Sequence, residues 1–365
     1  LKILLSLVAS AIFAFGCQNS FVAGQAGSQE TKMMGEIFSP TDLQLCTRPS
    51  QSSAMSLYSI LNEDGVIGGI LQEDILNYAL EYDGKERVSR FEVLFPVESK
   101  NIYLITAKNS NITDVAQLNT KSIAVGRELS DSSLSFLFLS KKLNYDWTYM
   151  HDDFDVGIHK LFGGEVDGVF FLSDEISPEL KKDFEKVNVI ALSAPYTLYR
   201  DILVKKSDYL TEVESEKNKK IQDSKTYNVQ LLSVVDTTKL TKQNSVLIQS
   251  RLVDYISKQI QSSRESTKSL LPSQAVDEAT QKAKDLGKKF FSSLSSMAGL
   301  DKPKETEPKQ VALEETFKQF TKEEQQIYDR FCNFQKNIRL THSFKMSQIT
   351  QDACNEVKNR FLTNK

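Results

Sequence analysis

Histidine is scarce in this chain of 365 residues, with three in all, and cysteine stands at four. His151 lies with Asp152, Asp153 and Asp155, at a spacing that suits an acidic loop entering a helix and no strong metal motif. No CxxC pair or Cys/His spacing of the zinc type occurs. No serine has the strained elbow sequence of a hydrolase, and Glu92 and Glu98 lie near strands without a candidate partner. These absences argue against an enzyme and against a resident cofactor. Charge of one sign is lacking too: the formal net charge is −3. That leaves no basic field for a phosphate backbone, so nucleic acid is not an expected partner.

Long apolar runs are missing except at the start, where Lys2 precedes an apolar stretch from Ile3 to Phe15. It is short for a bilayer span and fits the apolar core of a signal peptide, here taken as residues 1–17. Ala14-Phe-Gly-Cys17 also resembles a bacterial lipobox, although Phe15 and Ala14 depart from it. Two readings of Cys17 stand: a candidate lipidation site that tethers the chain to a membrane, or a cysteine beside an ordinary cleavage site. Either reading makes the chain extracytoplasmic, with a periplasmic location expected. An oxidising compartment permits a disulfide, and Cys332 and Cys354 on adjacent predicted helices are the natural couple. Cys46, in an apolar strand, reads as a small buried hydrophobe.

What the sequence does contain is a repeated unit: a short apolar strand, a turn of small hydroxyl residues, then a helix-compatible run. It occurs at Phe21 to Ser28, Leu43 to Ser53 and Ser122 to Ser132. Each turn sets serines and backbone N–H groups at a helix N-terminus, where unpaired amides and the dipole favour anions and polar groups. Strands are expected at 21–24, 43–47, 66–71, 91–95, 102–107, 122–126, 166–172, 187–192 and 229–235. Helices are expected at 29–38, 54–62, 73–81, 132–143, 155–163 and 246–260. This alternation predicts an α/β fold of open sheets with ligands at the carboxyl ends of strands.

The candidate ligand-binding residues are Gly27, Ser28, Ser53, Gln72, Asp74, Ser130, Ser132 and Ser173. Each serine also has a plain reading as an N-cap, a role that contributes about 1 kcal/mol. Asp74 reads equally as a cap of the helix that follows it. The ligand reading rests on all of them falling at one topological edge.

The segments in order resemble one bacterial family, the TAXI-type solute receptors of tripartite ATP-independent periplasmic (TRAP) transporters. Ser52-Ser53, the helix after it and Gln72-Glu-Asp74 resemble that family's Gly-Ser turn, helix and Gln-x-Asp strand end. Val115 to Gly126 is similar to its DLxGKxVxVG stretch, Ser130-Asp-Ser132 to its Ser-Gly-Thr, and Leu161 to Phe170 to its LxxGxIDAxF. Tyr227 to Ile260 is similar to its returning strand and helix. The resemblance covers about residues 20–260. It implies a two-lobed, type II periplasmic-binding-protein-like fold that captures a small solute, an amino acid or organic acid, and delivers it to a TRAP-type permease. Departures stand at the ligand turns. Gln29-Glu30 replace a pair of aromatics, Ser52 and Asp131 replace glycines, Ser56 replaces an asparagine, and Ser173-Asp174 replace Gly-x-Pro. They leave the solute open, and they leave open a second reading: a degenerate receptor acting as an envelope interaction or sensory protein.

The organisation expected is lobe one at 20–107 and 226–262, lobe two at 108–225, and an amphipathic helix with a charged linker at 263–310. A helical hairpin at 311–365 follows, with Thr321 to Glu324 as an internal capping box. This tail reads as an appendage to the α/β part. A Cys332–Cys354 bridge closing the hairpin is expected to contribute about 3 kcal/mol.

Overall fold

The computed structural model describes residues 17–39, 43–82, 85–173, 180, 183–190, 192, 200–202, 226–270, 320–334 and 344–362. The expected signal segment before residue 17, residues 271–310 of the expected amphipathic helix and linker, Asp174 and much of 193–225 lie outside them.

The first three strands, β1 (Asn19–Ala23), β2 (Leu45–Pro49) and β3 (Val66–Gln72), run parallel, with β1 between the other two. Helices α1 (Gln29–Ile37) and α2 (Ser53–Asn62) connect them, and α3 (Glu73–Tyr82) follows β3 directly. Short α4 (Lys85–Val88) leads into β4 (Phe91–Ala107), a strand of 17 residues. A second parallel set follows: β5 (Ser122–Ala124), α5 (Asp131–Leu143), β6 (Thr148–Met150), α6 (Phe154–Gly163) and β7 (Gly168–Ser173). Strands β8 (Val187–Val189) and β9 (Arg200–Ile202) are short edge partners of β4 and of β10 (Thr226–Asp236). The fold is α/β, with one hydrogen-bonded mixed sheet in the order β2-β1-β3-β10-β4-β7-β5-β6.

The two strands expected at 91–95 and 102–107 are one. Pro96 and the polar run Glu98 to Lys100 look like a break, but the register of β4 against β10 shifts between Leu231 and Leu232, which face Glu98 and Pro96. A bulge is where a sheet tolerates a residue with no N–H to donate. The first half of β4 pairs with β10 and its second half, Asn101 to Thr106, with β7. Gln72 at the end of β3 pairs with Leu231, which pairs with Glu98; Ser173 at the end of β7 pairs with Asn101. The carboxyl end of β7 therefore meets the middle of β4, and that of β3, running the opposite way, stands level with it across β10.

Each set has its own apolar packing. In the first, Phe21 and Phe38 stack with centroids 4.3 Å apart, and both are buried, as are Met34 and Ile60. Gly68 permits this closeness, since a Cβ there would meet the Val234 carbonyl at 2.3 Å and the Phe21 ring at 2.5 Å. In the second, Phe136 stacks on Trp147 and meets Phe170 edge-on. These buried aromatics remove large apolar areas from water, the main force holding each layer.

The chain divides into two compact units, 1–248 with 335–347, and 249–334 with 348–365. Helix α7 (Lys242–Leu270) starts in the first and continues into the second. In the second unit, α8 (Lys322–Cys332) and α9 (Gln348–Leu362) are joined by Cys332–Cys354, with Cα atoms 5.6 Å apart. The Thr321–Glu324 capping box starts α8 rather than lying inside a longer helix. Buried Glu324 also pairs with Arg264 of α7, whose guanidinium lies over the Phe361 ring.

Two expectations about the termini are corrected. Lys345 and Ser347 exchange backbone hydrogen bonds with Val93, and Lys345 pairs with Glu92 at 2.9 Å, so this stretch of the tail is stitched to the sheet. Cys46 is not a lone hydrophobe: it is bonded to Cys17. The neighbouring parallel strands hold Cα17 and Cα46 6.0 Å apart, within disulfide reach.

Candidate functional site

Four helix N-termini come to the carboxyl ends of the strands, and local sequence explains how three of them are capped. Ser28 accepts the Thr31 amide at 3.2 Å, Ser52 the Met55 amide at 3.3 Å, and Ser130 the Ser133 amide at 3.2 Å. Each is a hydroxyl residue in extended conformation one position before a helix, the geometry that satisfies an orphan amide. Gly126, with φ +89°, makes the approach to α5 tight: a Cβ there would lie 2.8 Å from Ser130 Oγ. Gly27, also at positive φ, is exposed with open space around its Cα.

Asp74 lies in the first turn of α3 rather than before it. One carboxylate oxygen accepts from the Ile75 amide at 2.8 Å and from Gln72 Nε2 at 2.6 Å; the other accepts from the Ser135 hydroxyl. Gln72 Nε2 also donates to Ser135, and Gln72 is wholly buried with its Oε1 unpaired. Burial pushes the Asp74 carboxyl up to about 6, against the pull of the Ser135 and Gln72 hydrogen bonds.

Ser53 faces the other way. Its hydroxyl accepts the Gln72 amide at 3.1 Å, and its own amide donates to Asp131 Oδ1 at 2.7 Å. Asp131 stands at the start of α5, so this bond joins the N-termini of two helices drawn from the two parallel sets. Burial raises the Asp131 carboxyl, partly offset by the Ser53 amide and by the Lys100 ammonium. Ser132 supplies a third bridge, accepting the Leu172 amide of β7 at 3.2 Å. Ser173 is half-buried at the end of β7.

Sequence reasoning left out the charged centre of this region. Lys100, midway along β4, donates to Glu30 of α1 at 2.7 Å and lies 3.4 Å from Glu98. Glu98 thus has the partner that its sequence neighbourhood did not suggest. Residues 98 and 100 alternate onto one face of a strand, which was the available signal. Burial works to raise the Glu30 carboxyl, yet hydrogen bonding with Glu98 and Lys100 brings it down to about 2. The same carboxylates hold the Lys100 ammonium above the usual lysine value despite its burial.

A cavity among the described residues lies beside the polar cluster. It has a volume of about 420 Å³ and is lined by Leu57, Tyr58 and Leu61 of α2, Ile75, Tyr78 and Ala79 of α3, Arg87 of α4, and Leu134, Leu137 and Phe138 of α5. None of the eight expected ligand residues lines it. In the acidic loop, Asp152 pairs with Lys160 at 2.9 Å and Asp153 with Arg127.

No family model matches the chain, and no curated protein matches it. Solved structures do resemble it. The malate-bound MatC of Rhodopseudomonas palustris is 11% identical, with 65% of this chain and 84% of that one covered and a TM-score of 0.41. The arginine-, lysine-, histidine-binding protein ArtJ of Geobacillus stearothermophilus is 14% identical, covering 66% and 90%, with a TM-score of 0.37. A Streptococcus mutans structure concerned with glutathione import through GshT and TcyBC is 15% identical, covering 65% and 89%, at 0.36. At such scores the likeness adds nothing to what the strand order itself establishes.

Proposed function

We propose that this chain is an extracytoplasmic solute receptor that binds a small polar solute where the two parallel strand sets meet. The observation that carries this is the topology at β4: the carboxyl end of β7 meets Asn101 directly, and that of β3, running the opposite way, stands level with Glu98 across β10. Helix N-termini from both sets are joined there by Ser53 and Asp131. Strand ends and helix starts are where open α/β folds hold ligands. Read as lobes, the two sets are the blocks at 20–107 with 226–262 and at 108–225, and β4 and β10 are the segments that cross between them. The Cys17–Cys46 and Cys332–Cys354 disulfides favour an oxidising, extracytoplasmic compartment. Delivery to a membrane permease, of TRAP type by the family resemblance, completes the reading.

The test is a thermal-shift and calorimetric screen of amino acids and organic acids, with small-angle scattering before and after any hit. A receptor gives a saturable hit and a smaller radius of gyration, because the solute favours the state in which both sets contact it. Normal folding with no hit across the panel contradicts it.

One observation favours the second reading, a receptor-like fold acting as an envelope interaction protein. Every helix N-terminus offered to a ligand already has an internal acceptor.

A further inference from the structure

The sequence offered the N-terminus of α2 to a solute anion, but the chain has placed its own anion there. Asp131 Oδ1 accepts the Ser53 amide at 2.7 Å, from a residue 78 positions away. The Met55 amide is taken by the Ser52 hydroxyl and the Ser56 amide by the Ser52 carbonyl. Ser53 is fixed from its other side by the Gln72 amide, so the acceptor position at this helix start is rigid. Asp131 is not a local cap of α2; it belongs to α5, which has its own cap in Ser130.

The groups around it are mostly acidic. Asp131 interacts electrostatically with Glu30 and Lys100, Asp74 with Asp131, and Lys100 with Glu30, Glu98 and Asp131. Three carboxyl groups, from α1, β4 and α5, thus act on a single ammonium, and Asp74 of α3 adds a fourth acidic group coupled to Asp131. A free carboxylate entering this cluster meets repulsion and finds its natural position at α2 occupied. An ammonium meets the opposite field. Gln72 Oε1, buried and without a donor, adds an unpaired acceptor on the amide that bonds Asp74 and Ser135.

We propose that Asp131 is a tethered anion that fills the N-terminus of α2 and sets the sign of the solute: it excludes carboxylate recognition there and leaves ammonium-bearing solutes as the class admitted. The solute-class part rests on the receptor reading above, while the tether itself is a property of the fold. Asp131 is a specificity-determining residue in this account. Removing it exposes an anion position that a small carboxylate then occupies.

Asp131→Ala and, as a variant that keeps an acceptor oxygen without the charge, Asp131→Asn are compared with the native chain. Amide hydrogen exchange at Ser53 is followed with and without acetate, at ionic strength matched by chloride. Loss of one charge-assisted hydrogen bond is expected to speed Ser53 exchange about ten-fold in Asp131→Ala. Acetate should slow it again in that variant and leave the native chain unchanged. In thermal-shift titrations, L-lysine and putrescine should stabilise the native chain and succinate should not, while succinate gains an effect in Asp131→Ala. Equal Ser53 exchange in native and variant chains overturns the tether. Succinate stabilising the native chain as much as Asp131→Ala overturns the sign rule. If acetate rescues Ser53 protection in the variant but no solute binds either protein, the tether stands and the receptor reading falls. Should Asp131→Ala not fold, Asp131→Asn carries the same readouts with smaller changes.

Discussion

Helices α2, α3 and α5 meet twice, and the two meetings differ in kind. At their N-termini they meet through Ser53, Gln72, Asp74, Asp131 and Ser135, a region of short hydrogen bonds with almost every donor and acceptor satisfied. Along their sides they meet through Leu57, Tyr58, Ile75, Tyr78 and Phe138, around an apolar cavity of about 420 Å³. The polar meeting is rich in hydrogen-bond partners, whereas the apolar meeting encloses a measurable cavity. Where four helix starts share one sheet edge, internal side chains compete with a ligand for the same amides, and in this chain they hold most of them.

The apolar side gives the largest expected effect. Phe138 is buried there and meets Tyr78 edge-on at 5.9 Å. Phe138→Ala should destabilise by about 3–5 kcal/mol in urea unfolding, through lost burial and an enlarged cavity. A loss under about 1 kcal/mol is the size of a surface change and would mean that the helices are not joined by this packing.

On the polar side, Asp74 makes a pH-dependent contribution whose sign is fixed. Its folded pKa of about 6 lies above the ordinary aspartate value of ~3.9, so the folded chain holds the proton more tightly. Stability from this group is complete below about pH 4 and is lost as pH rises through 6, a change on the order of 3 kcal/mol. Asp74→Asn should flatten that part of the stability–pH curve. An unchanged slope would show that Asp74 is not buried as described.

Glu30 has the opposite sign. Its folded pKa of about 2 lies below the ordinary value of 4.5, so its contribution is present above pH 4.5 and lost as pH falls toward 2. Lys100→Met should shrink that acid limb, leaving the share owed to the Glu98 hydrogen bond, read from stability curves between pH 2 and 5; an unchanged limb would separate Glu30 from Lys100. The smallest effect belongs to the local caps: Ser28→Ala should cost about 1 kcal/mol, measured by urea unfolding at pH 7.

Much of the α/β pattern was legible because its signals are local. Val66 to Gln72 is an unbroken buried strand, and Ser28, Ser52 and Ser130 are caps of the expected type, each acting within a few residues. Contacts between distant elements left no such trace. Nothing near Ser53 announces Asp131, and nothing near Asp74 announces Ser135, 61 positions away. The Lys100–Glu30 pair and the Cys17–Cys46 bridge join elements that only the sheet order brings together. Continuity of β4 was hidden for another reason: a proline and three polar residues read as a loop until a bulge in the pairing with β10 accommodates them.

The central claim, that solute is recognised at the polar meeting rather than in the apolar cavity, is tested most directly by amide chemical-shift mapping. The isotope-labelled chain is titrated with L-lysine and putrescine, and with succinate as the contrasting probe. The account predicts saturable shifts for the amines confined to residues 28–31, 53–56, 72–75, 98–101 and 130–135, and none for succinate. Shifts centred on Leu61, Tyr78 and Phe138 with the polar residues unmoved, or no saturable shift with any probe, would contradict it.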